Sequence, residues 1–291
     1  MSRRFALLVN PASAGGKALD ALPAVHETLD ALGAPHRTVL TRSIEHAEEE
    51  AAVAAAAGET VAAVSGDGLL RPMAAALKNT GSAVALIPCG RGNDFARVLG
   101  IPAEPAAAAR VAVEGEERLV DVANVDGTPF VGIASFGFDS DANRIANDTK
   151  HIRGNAVYLY AALRALAAWK PAAFSVTVDG SVHEATGFSV VVGNSKAYGG
   201  GMYVLPQAEL DDGRLDVLIA KGTSKLTFLR ELPKIFRGAH VNSPHALFLR
   251  GELVEVATDR PFVIYADGDP IGATPATLGV EQRCLRVIAP A

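Results

Sequence analysis

The stretch Val61-Ala62-Ala63-Val64-Ser65-Gly66-Asp67-Gly68 joins a short apolar run to a carboxylate between two glycines. The stretch Val84-Ala85-Leu86-Ile87-Pro88-Cys89-Gly90-Arg91-Gly92-Asn93-Asp94 repeats this arrangement. Glycines let a backbone approach a bulky anionic ligand, and amide groups at a helix start can hold phosphate. A carboxylate repels a bare phosphate, so Asp67 and Asp94 suit a metal–phosphate complex or a hydroxyl that must lose its proton. Together the two turns predict a nucleotide site.

Around these turns, strand-like and helix-like segments alternate. We predict strands at 5–9, 36–40, 61–64 and 84–87, and helices at 17–32, 44–57 and 72–77, with a short helix through Phe95 and Val98. Such alternation is typical of a parallel sheet, and ligands of open α/β sheets bind outside the carboxyl ends of the strands. Both glycine turns are expected at that edge.

The pattern changes after about residue 122. Short strands separated by turns are typical of a β-sandwich, and we predict them at 130–134, 174–178, 188–192, 215–220, 253–258 and 262–266. Two helices interrupt them, at 155–169 and 225–236. We therefore predict an α/β domain over 1–124 and a β-sandwich domain over 125–279. A last strand near 284–288 is expected to return to the first domain, within a segment 280–291.

Composition excludes several classes of protein. The net charge of −5 argues against a nucleic-acid binder, whose footprint would be basic. Two cysteines, Cys89 and Cys284, are too few for a disulfide framework. No apolar stretch reaches the roughly 20 residues that span a bilayer, and the amino terminus has no secretory pattern. We expect a cytoplasmic protein.

Each turn also has a purely structural interpretation. Gly-Asp-Gly occurs in ordinary hairpins, and Asn93 or Asp94 could simply cap a helix. Two further groups of residues strengthen the functional interpretation. The three consecutive glycines of Tyr198-Gly199-Gly200-Gly201 lose much conformational entropy when the chain folds. A functional segment is therefore a better interpretation than an ordinary surface loop. Asp267-Gly268-Asp269 sets two carboxylates at the end of a predicted strand.

Taken in order, these motifs resemble the diacylglycerol kinase catalytic family. The resemblance covers nearly the whole chain and is closest to the soluble bacterial branch of actinobacterial type, which is related to sphingosine and ceramide kinases. It rests on the following stretches: Asn10-Pro11-Ala12-Ser13, Gly66-Asp67-Gly68, 88–97, 198–201, Asp212-Gly213-Arg214-Leu215-Asp216 and Asp267-Gly268-Asp269.

The resemblance implies an NAD kinase/phosphofructokinase-like α/β domain, a β-sandwich, and ATP in the cleft between them. It implies that Asp267 accepts the proton of a lipid hydroxyl. Asp67, Asp94 and Asp269 would form an acidic network that orients Mg²⁺ on the ATP phosphates, partly through water, since Mg²⁺ keeps several waters.

Other positions would bind the nucleotide, with Lys17 and Arg91 as the positive groups nearest the phosphates. An alternative for Lys17 is a solvated lysine in the first turn of a helix. The implied set is Asn10, Ser13, Lys17, Thr41, Gly66, Asp67, Gly68, Gly90, Arg91, Gly92 and Asn93. Asp212, with the carbonyls of Glu209 and Arg214, matches a second, structural Mg²⁺ site. Asp121 either joins the acidic network or is a solvated carboxylate, and Arg97 is expected on a helix surface or a domain contact.

The first turn departs from the family pattern, which usually reads Gly-Gly-Asp-Gly-Thr and closes with a Glu. Here Ser65, Leu69 and Pro72 stand at those positions, and Arg91 replaces the usual Thr of the second turn. Leu69 removes a hydroxyl and Pro72 a carboxylate, although proline fits the first turn of a helix. Since Asp67, Asp94 and Asp267 are all present, we favour an active kinase over a degenerate one.

Three functions remain open. The first is an ATP- and Mg²⁺-dependent kinase that converts diacylglycerol to phosphatidic acid. The second is an NAD kinase-like or other small-molecule kinase, and the third is a non-catalytic module that binds nucleotide or lipid. Residues 198–201 and 212–216 favour the first.

A membrane lipid substrate requires peripheral contact with the inner face of the membrane. The segment 150–170 mixes basic and aromatic residues that suit an interface, among them Tyr158, Arg164 and Trp169. The alternative is an ordinary amphipathic helix packed on the sandwich. The sequence leaves the oligomeric state open, with a homodimer as one option.

Overall fold

The computed structural model describes residues 3–149 and 156–291, with the side chains of 147 and 156–159 left out. The first part alternates as predicted: β1 (Phe5–Val9), α1 (Lys17–Ala31), β2 (His36–Leu40), α2 (Ile44–Ala56), β3 (Thr60–Ser65), α3 (Leu70–Leu77), β4 (Ala83–Pro88) and α4 (Asp94–Val98). The four strands are parallel in the order β4-β3-β1-β2. Their carboxyl ends therefore share one edge, where both glycine turns lie.

The elements that follow carry the sheet onward. They are α5 (Pro105–Glu114), β5 (Glu116–Val125), β6 (Thr128–Phe130), β7 (Ile133–Gly137), α6 (Phe138–Asp148), α7 (Ala156–Ala168), β8 (Ala172–Val178), β9 (Ser181–Gly193), β10 (Leu215–Lys221), α8 (Lys225–Ile235), β11 (Ala246–Gly251), β12 (Leu253–Thr258), β13 (Val263–Ala266), β14 (Asp269–Ala273) and β15 (Ala276–Ala289). Sequence patterns did not predict α5, α6, β5, β11 or β14.

One continuous sheet connects the two halves of the chain. Its main path runs β14-β13-β7-β9-β8-β12-β15-β4-β3-β1-β2. The last strand, β15, pairs with β12 through its first residues and lies parallel to β4 through Arg286 and Val287. We propose the division at 124/125 and at 279/280 as domain boundaries on the basis of the sequence.

The predicted strand at 130–134 is wrong in one respect, because the structure breaks it after Phe130. Residues 131 and 132 lie between β6 and β7, and their amides donate to the carboxylate of Asp267. A backbone amide directed at a side chain leaves the strand ladder, which is why the strand is interrupted there.

Aromatic side chains fill the core of the second half. Phe130, Phe136, Phe174 and Phe188 are at most 1% exposed, and they pack in one cluster with residues of β10, β12 and β15. The parallel sheet has a separate core built from β1, β3, β4 and one face each of α1, α2, α3 and α5.

For Trp169 the structure favours the second interpretation of segment 150–170, a helix packed on the sandwich. The Trp169 side chain is 4% exposed and packs edge-on against Phe138, with ring centroids 5.9 Å apart. Ala161, Ala165 and Leu166 of α7 are also buried, so α7 packs on the β-rich half. Residues 150–155 of the predicted interfacial segment lie outside the described residues. Across the described part of the chain, no helix combines the length and apolar character needed to cross a bilayer.

Candidate active site

The two glycine turns touch through their backbones. A Cβ on Gly90 would lie 2.3 Å from the Cα of Gly66, closer than two non-bonded carbons approach. Ser13 links the same turns, since its Oγ accepts from the Gly66 amide at 3.2 Å and donates to the Cys89 carbonyl at 3.4 Å. Glycine is thus required at 66 and 90 by packing of backbone on backbone.

The carboxylate of Asp67 reaches from the first turn to the start of α4 in the second. Its two oxygens accept from the amides of Asp94, at 3.0 Å, and Phe95, at 3.4 Å. These amides have no partner within their helix, so Asp67 caps it from a distance. Burial raises the pKa of Asp67, and the nearby charge of Asp94 adds to the effect.

Asn93 occupies the cap position but does not cap α4 with its side chain. Its backbone is left-handed, with φ +52°. Its Oδ1 accepts from the Gly90 amide at 2.8 Å, and its Nδ2 donates to the Gly90 carbonyl at 3.1 Å. Asn93 therefore shapes the second turn, and the capping expected of it is supplied by Asp67.

Asp94 joins the two halves of the chain. One carboxylate oxygen is paired with the guanidinium of Arg97, and the other accepts from the amide of Gly200 at 2.7 Å. The triple-glycine segment predicted as functional thus lies against the second turn. Arg97, expected as a surface or contact residue, is the ion-pair partner of Asp94.

A small gap separates the carboxylates of Asp67 and Asp94. A Cβ placed on Gly92 would lie 3.1 Å from Oδ2 of both side chains. Gly68, beside them, has no neighbouring atom within 4 Å of the position its Cβ would take. The Oδ2 atoms of both carboxylates therefore lie close to the same backbone position, near exposed Gly68.

Asp267 lies just after β13, at the apex of a turn with φ +50°. Its carboxylate accepts from the amides of Val131, at 2.8 Å, and Gly132, at 2.9 Å. Burial and, to a smaller extent, the charge of Asp67 raise its pKa to about 6 against the opposing effect of these amides. The structure therefore brings the first and last carboxylate motifs into electrostatic contact.

Asp269, in contrast, is close to a positive group that sequence patterns did not single out. Burial raises the pKa of Asp269, and the charge of Arg71 in α3 opposes the rise. The Nε of Arg71 is buried, with no hydrogen-bond partner among the described residues. The sequence offered one indication of this role, because Arg71 lies only four residues after Asp67, in the helix that follows the first glycine turn.

The remaining nucleotide-binding candidates surround the same edge. Asn10 follows β1, and its Oδ1 accepts from the Ala12 amide at 3.0 Å. Thr41 follows β2, is buried, and donates its hydroxyl to the Val9 carbonyl at 3.1 Å. Lys17 and Arg91 are both exposed, so their charges are free to face a ligand or solvent.

Matches to known proteins agree with this geometry. Residues 4–125 match the diacylglycerol kinase catalytic domain, and residues 132–289 match the YegS C-terminal NAD kinase beta sandwich-like domain. A protein of Mycobacterium tuberculosis named diacylglycerol kinase is 32% identical over 97% of this chain and 94% of its own.

The chain belongs to the diacylglycerol kinase catalytic family.

Other members show how widely the likeness extends. A diacylglycerol kinase of Bacillus subtilis is 27% identical over 88% of this chain and 85% of its own. The crystal structure of a diacylglycerol kinase from Bacillus anthracis str. Sterne has a TM-score of 0.78 and 23% identity, and covers 99% of this chain and 97% of that chain. These matches confirm the predicted family and fold class, and they make this chain a kinase.

In this kinase, the residues of the first turn that differ from the family pattern are buried in the core. Ser65 ends β3 as a buried residue, so it needs no special backbone conformation. Leu69 is 3% exposed, and Pro72 is buried in the first turn of α3. Apolar side chains at 69 and 72 therefore add to the core of the parallel sheet, where the family pattern has polar groups.

A half-buried carboxylate near the glycine-rich segment was not predicted from the sequence. Asp139, in the first turn of α6, accepts from the hydroxyl of Tyr198 at 3.0 Å, and burial raises its pKa to about 6. It follows Gly137 at the end of β7 and repeats the strand–glycine–carboxylate order of the first two turns, which is the signal that could have found it.

Asp121 belongs to neither of the two environments predicted for it. It is 0% exposed, and its carboxylate accepts from the amides of Gly213, at 2.6 Å, and Arg283, at 2.7 Å. Asp121 therefore fastens β5 to the loop before β10 and to the bulge of β15.

The predicted structural metal site lies in that same loop. Asp212 is paired with the guanidinium of Arg250, and its Oδ1 accepts from the amide of Arg214 at 2.9 Å. Glu209 is exposed. Burial, together with the charge of Glu209, raises the pKa of Asp216 to about 6. Across 3–149 and 156–291, no group of three or more His, Cys, Asp or Glu side chains is arranged to hold a metal. The ligand set Asp212, Glu209 and Arg214 stays a prediction.

Proposed function

We propose that this chain is an ATP- and Mg²⁺-dependent lipid kinase that phosphorylates the hydroxyl of diacylglycerol to give phosphatidic acid. Its assignment to the lipid kinases is supported by family membership, and its substrate by the names of the relatives. The observation that carries the proposal is Asp267, a half-buried carboxylate that the amides of Val131 and Gly132 hold just after β13. Burial raises its pKa to about 6.

The residues present fit a nucleotide with its metal. Mg²⁺ in kinases is held by one or two carboxylates together with the phosphates of the substrate. Asp67 and Asp94 supply such oxygens near Gly92. Because these carboxylates already bind backbone amides and Arg97, they would contact Mg²⁺ through its water ligands. When bound, Mg²⁺ neutralises charge on the phosphate oxygens. Asp269 completes the proposed network.

The remaining residues of the carboxyl edge would hold ATP. They follow β1, β2, β3 and β4 in the loop from Asn10 to Lys17, at Thr41, in the turn 66–68 and in the turn 90–93. The exposed charges of Lys17 and Arg91 are available to pair with phosphate oxygens.

Asp267 would act as the general base. As the oxygen of the lipid hydroxyl bonds to the γ-phosphorus of ATP, the bond from that phosphorus to the bridging oxygen of ADP breaks. The hydroxyl proton passes to the carboxylate of Asp267. The amides of Val131 and Gly132 hold this side chain in place, and each carboxylate oxygen keeps a further lone pair for the proton.

Diacylglycerol resides in a bilayer, so the proposal includes a cytoplasmic protein in peripheral contact with the inner face of the membrane. A homodimer is compatible with it. Nucleic acid is no part of the proposal, given the net charge of −5.

Transfer of labelled γ-phosphate from ATP to diacylglycerol in neutral detergent micelles tests the function. We expect Mg²⁺-dependent transfer that Asp267→Asn lowers by about 10²-fold or more, the scale of general-base catalysis. Asp259→Asn, at an exposed carboxylate paired with Arg260, is the matched control.

Transfer by Asp267→Asn at the wild-type rate would contradict the assigned base. Phosphorylation of NAD instead of any neutral lipid would favour the NAD kinase-like alternative. Failure to bind ATP in calorimetry with Mg²⁺ would favour a non-catalytic module.

A further inference from the structure

Helix α8 lies on the β-rich half without burying any of its residues. Its inward side makes limited contact, chiefly through Phe228, whose ring stacks on Phe188 with centroids 4.1 Å apart. Its outward side presents Leu226, 58% exposed, and Phe236 follows the helix at 54% exposed. Large apolar side chains this exposed, on a helix this lightly packed, indicate a surface that meets something else.

The exposed residues lie on one face. Leu226, Arg230 and Pro233 follow a spacing of four and three residues, which keeps them on one side of the helix. Arg237 is exposed in the turn that follows. Lys225 and Lys234 flank them. We name the set Lys225, Leu226, Arg230, Lys234, Phe236 and Arg237 the α8 face.

The charge of the α8 face opposes that of the chain. Residues 225–237 contain four basic residues and one acidic residue, whereas the whole chain has a net charge of −5. The single acid, Glu231, is already bound to Lys234 at 2.7 Å. Neither Arg230 nor Arg237 forms a salt bridge with any described residue. The face thus carries uncompensated positive charge beside exposed apolar groups.

We propose that the α8 face docks on the surface of an anionic lipid bilayer. Basic side chains attract the negative headgroups of a membrane, and adjacent leucine and phenylalanine side chains enter the boundary between headgroups and acyl chains. A nucleic acid would match the charge but leave Leu226 and Phe236 in water.

The α8 face is also connected to the candidate active site. The carbonyl of Ile235, the last residue of α8, accepts from the amide of Tyr203 at 3.0 Å. Tyr203 directly follows the segment 198–202, whose Gly200 amide donates to Asp94 at 2.7 Å. A bilayer seated on α8 would therefore lie next to the loop that borders the phosphate-binding turns, which is where a lipid hydroxyl must arrive. This inference rests on the proposed lipid kinase function.

Vesicle co-sedimentation tests the docking surface. We compare vesicles of phosphatidylcholine alone with vesicles that also contain phosphatidylglycerol, using wild type, Arg230→Glu/Arg237→Glu and Leu226→Ser/Phe236→Ser. We expect wild type to prefer the anionic vesicles and to release them at high salt. Charge reversal should weaken this binding about tenfold or more, and the serine variant should weaken it on both vesicles. Val53→Ser, on α2, and Arg118→Glu, on β5, are matched exposed controls and should bind as wild type.

Kinase activity on diacylglycerol in neutral detergent micelles separates docking from catalysis. Both α8 variants should keep wild-type activity there and lose it on vesicles. Unchanged vesicle binding of both variants would overturn the proposal, and so would a wild type that binds neutral and anionic vesicles equally. Anionic-vesicle binding that depends on the α8 face in a protein without lipid kinase activity would overturn only the proposed function. A change from dimer to monomer in the α8 variants, with vesicle binding unchanged, would assign the face to self-association.

Discussion

Burial is the largest influence on the carboxyl of Asp267. It raises the pKa to about 6 although the amides of Val131 and Gly132 stabilise the anion. A base with this pKa is ionised at neutral pH and still binds a proton readily, which is the compromise that general-base catalysis requires. The same residue in open solvent, with a pKa near 3.8, would be a weaker base.

This value predicts an acid limb in the activity. Only the ionised form of Asp267 accepts a proton, so kcat/KM should be constant above about pH 7 and fall as pH decreases through about 6. A pH profile on micellar diacylglycerol, with circular dichroism at each pH to show that the fold persists, measures it.

Asp139 provides the control, since burial raises its pKa to about 6 as well. Asp139→Asn should keep the acid limb at the same pH if Asp267 is the titrating base. A limb centred near the ordinary aspartate value, or one that disappears in Asp139→Asn, would contradict the assignment.

At the scale of elements, the site depends on two turns that pack backbone on backbone. The carboxyl ends of β3 and β4 are neighbours in the sheet, so the turns that follow must pass within contact distance. Gly66 and Gly90 allow that approach, and Asp67 then reaches α4. The cap on α4 therefore exists only when the turns are in contact.

Alanine substitutions in these turns should separate packing from flexibility. A Cβ at residue 90 would lie 2.3 Å from the Cα of Gly66, so Gly90→Ala should lower the free energy of unfolding by about 1–3 kcal/mol, as overpacking does. Gly68→Ala is the matched control, because no atom lies within 4 Å of its Cβ position. Thermal or urea denaturation measures both.

The difference in stability between the two alanine variants tests the contact between the turns. If Gly90→Ala is as stable as Gly68→Ala, the turns do not meet as described. Gly68→Ala is expected within about 0.5 kcal/mol of wild type, as for most surface substitutions.

At the scale of the whole molecule, Asp94 and Asp121 hold the two halves of the chain together. Asp94 binds Arg97 in its own half and the amide of Gly200 in the other. Asp121 binds amides of Gly213 and Arg283, from the loop before β10 and from β15. The first contact lies at the candidate active site, whereas the second joins β5 to β15 and to the loop before β10.

Removing one oxygen from Asp121 should therefore destabilise the protein without altering catalysis. Asp121→Asn leaves one buried amide without an acceptor, at a cost of about 1–3 kcal/mol in the free energy of unfolding. Asp126→Asn is the control, since Asp126 is exposed and keeps an acceptor for the amide of Thr277. Calorimetric unfolding and kcat per folded molecule are the measurements, and a drop in kcat with unchanged stability would contradict a structural role.

The sequence by itself determined the local order of the first half and the family. Periodicity and glycine position predicted β1 to β4 and their helices within one or two residues, because these signals act between near neighbours. It also predicted that Asp67 and Asp94 lie at one edge, since parallel strands share their carboxyl ends. The domain boundaries and the roles of the site residues stay predictions.

Only the tertiary structure decided which groups meet. Asp267 accepts from the amide of Val131, 136 residues away in sequence. That amide lies at the break between β6 and β7, which the apolar pattern of 130–134 did not indicate. Trp169 is buried, while α8 presents exposed leucine and arginine, although both segments have mixed basic and aromatic sequences. The physical reason is common to these cases. A residue's type sets what it can bind, but its burial and its partners depend on the path of chain segments far from it in sequence.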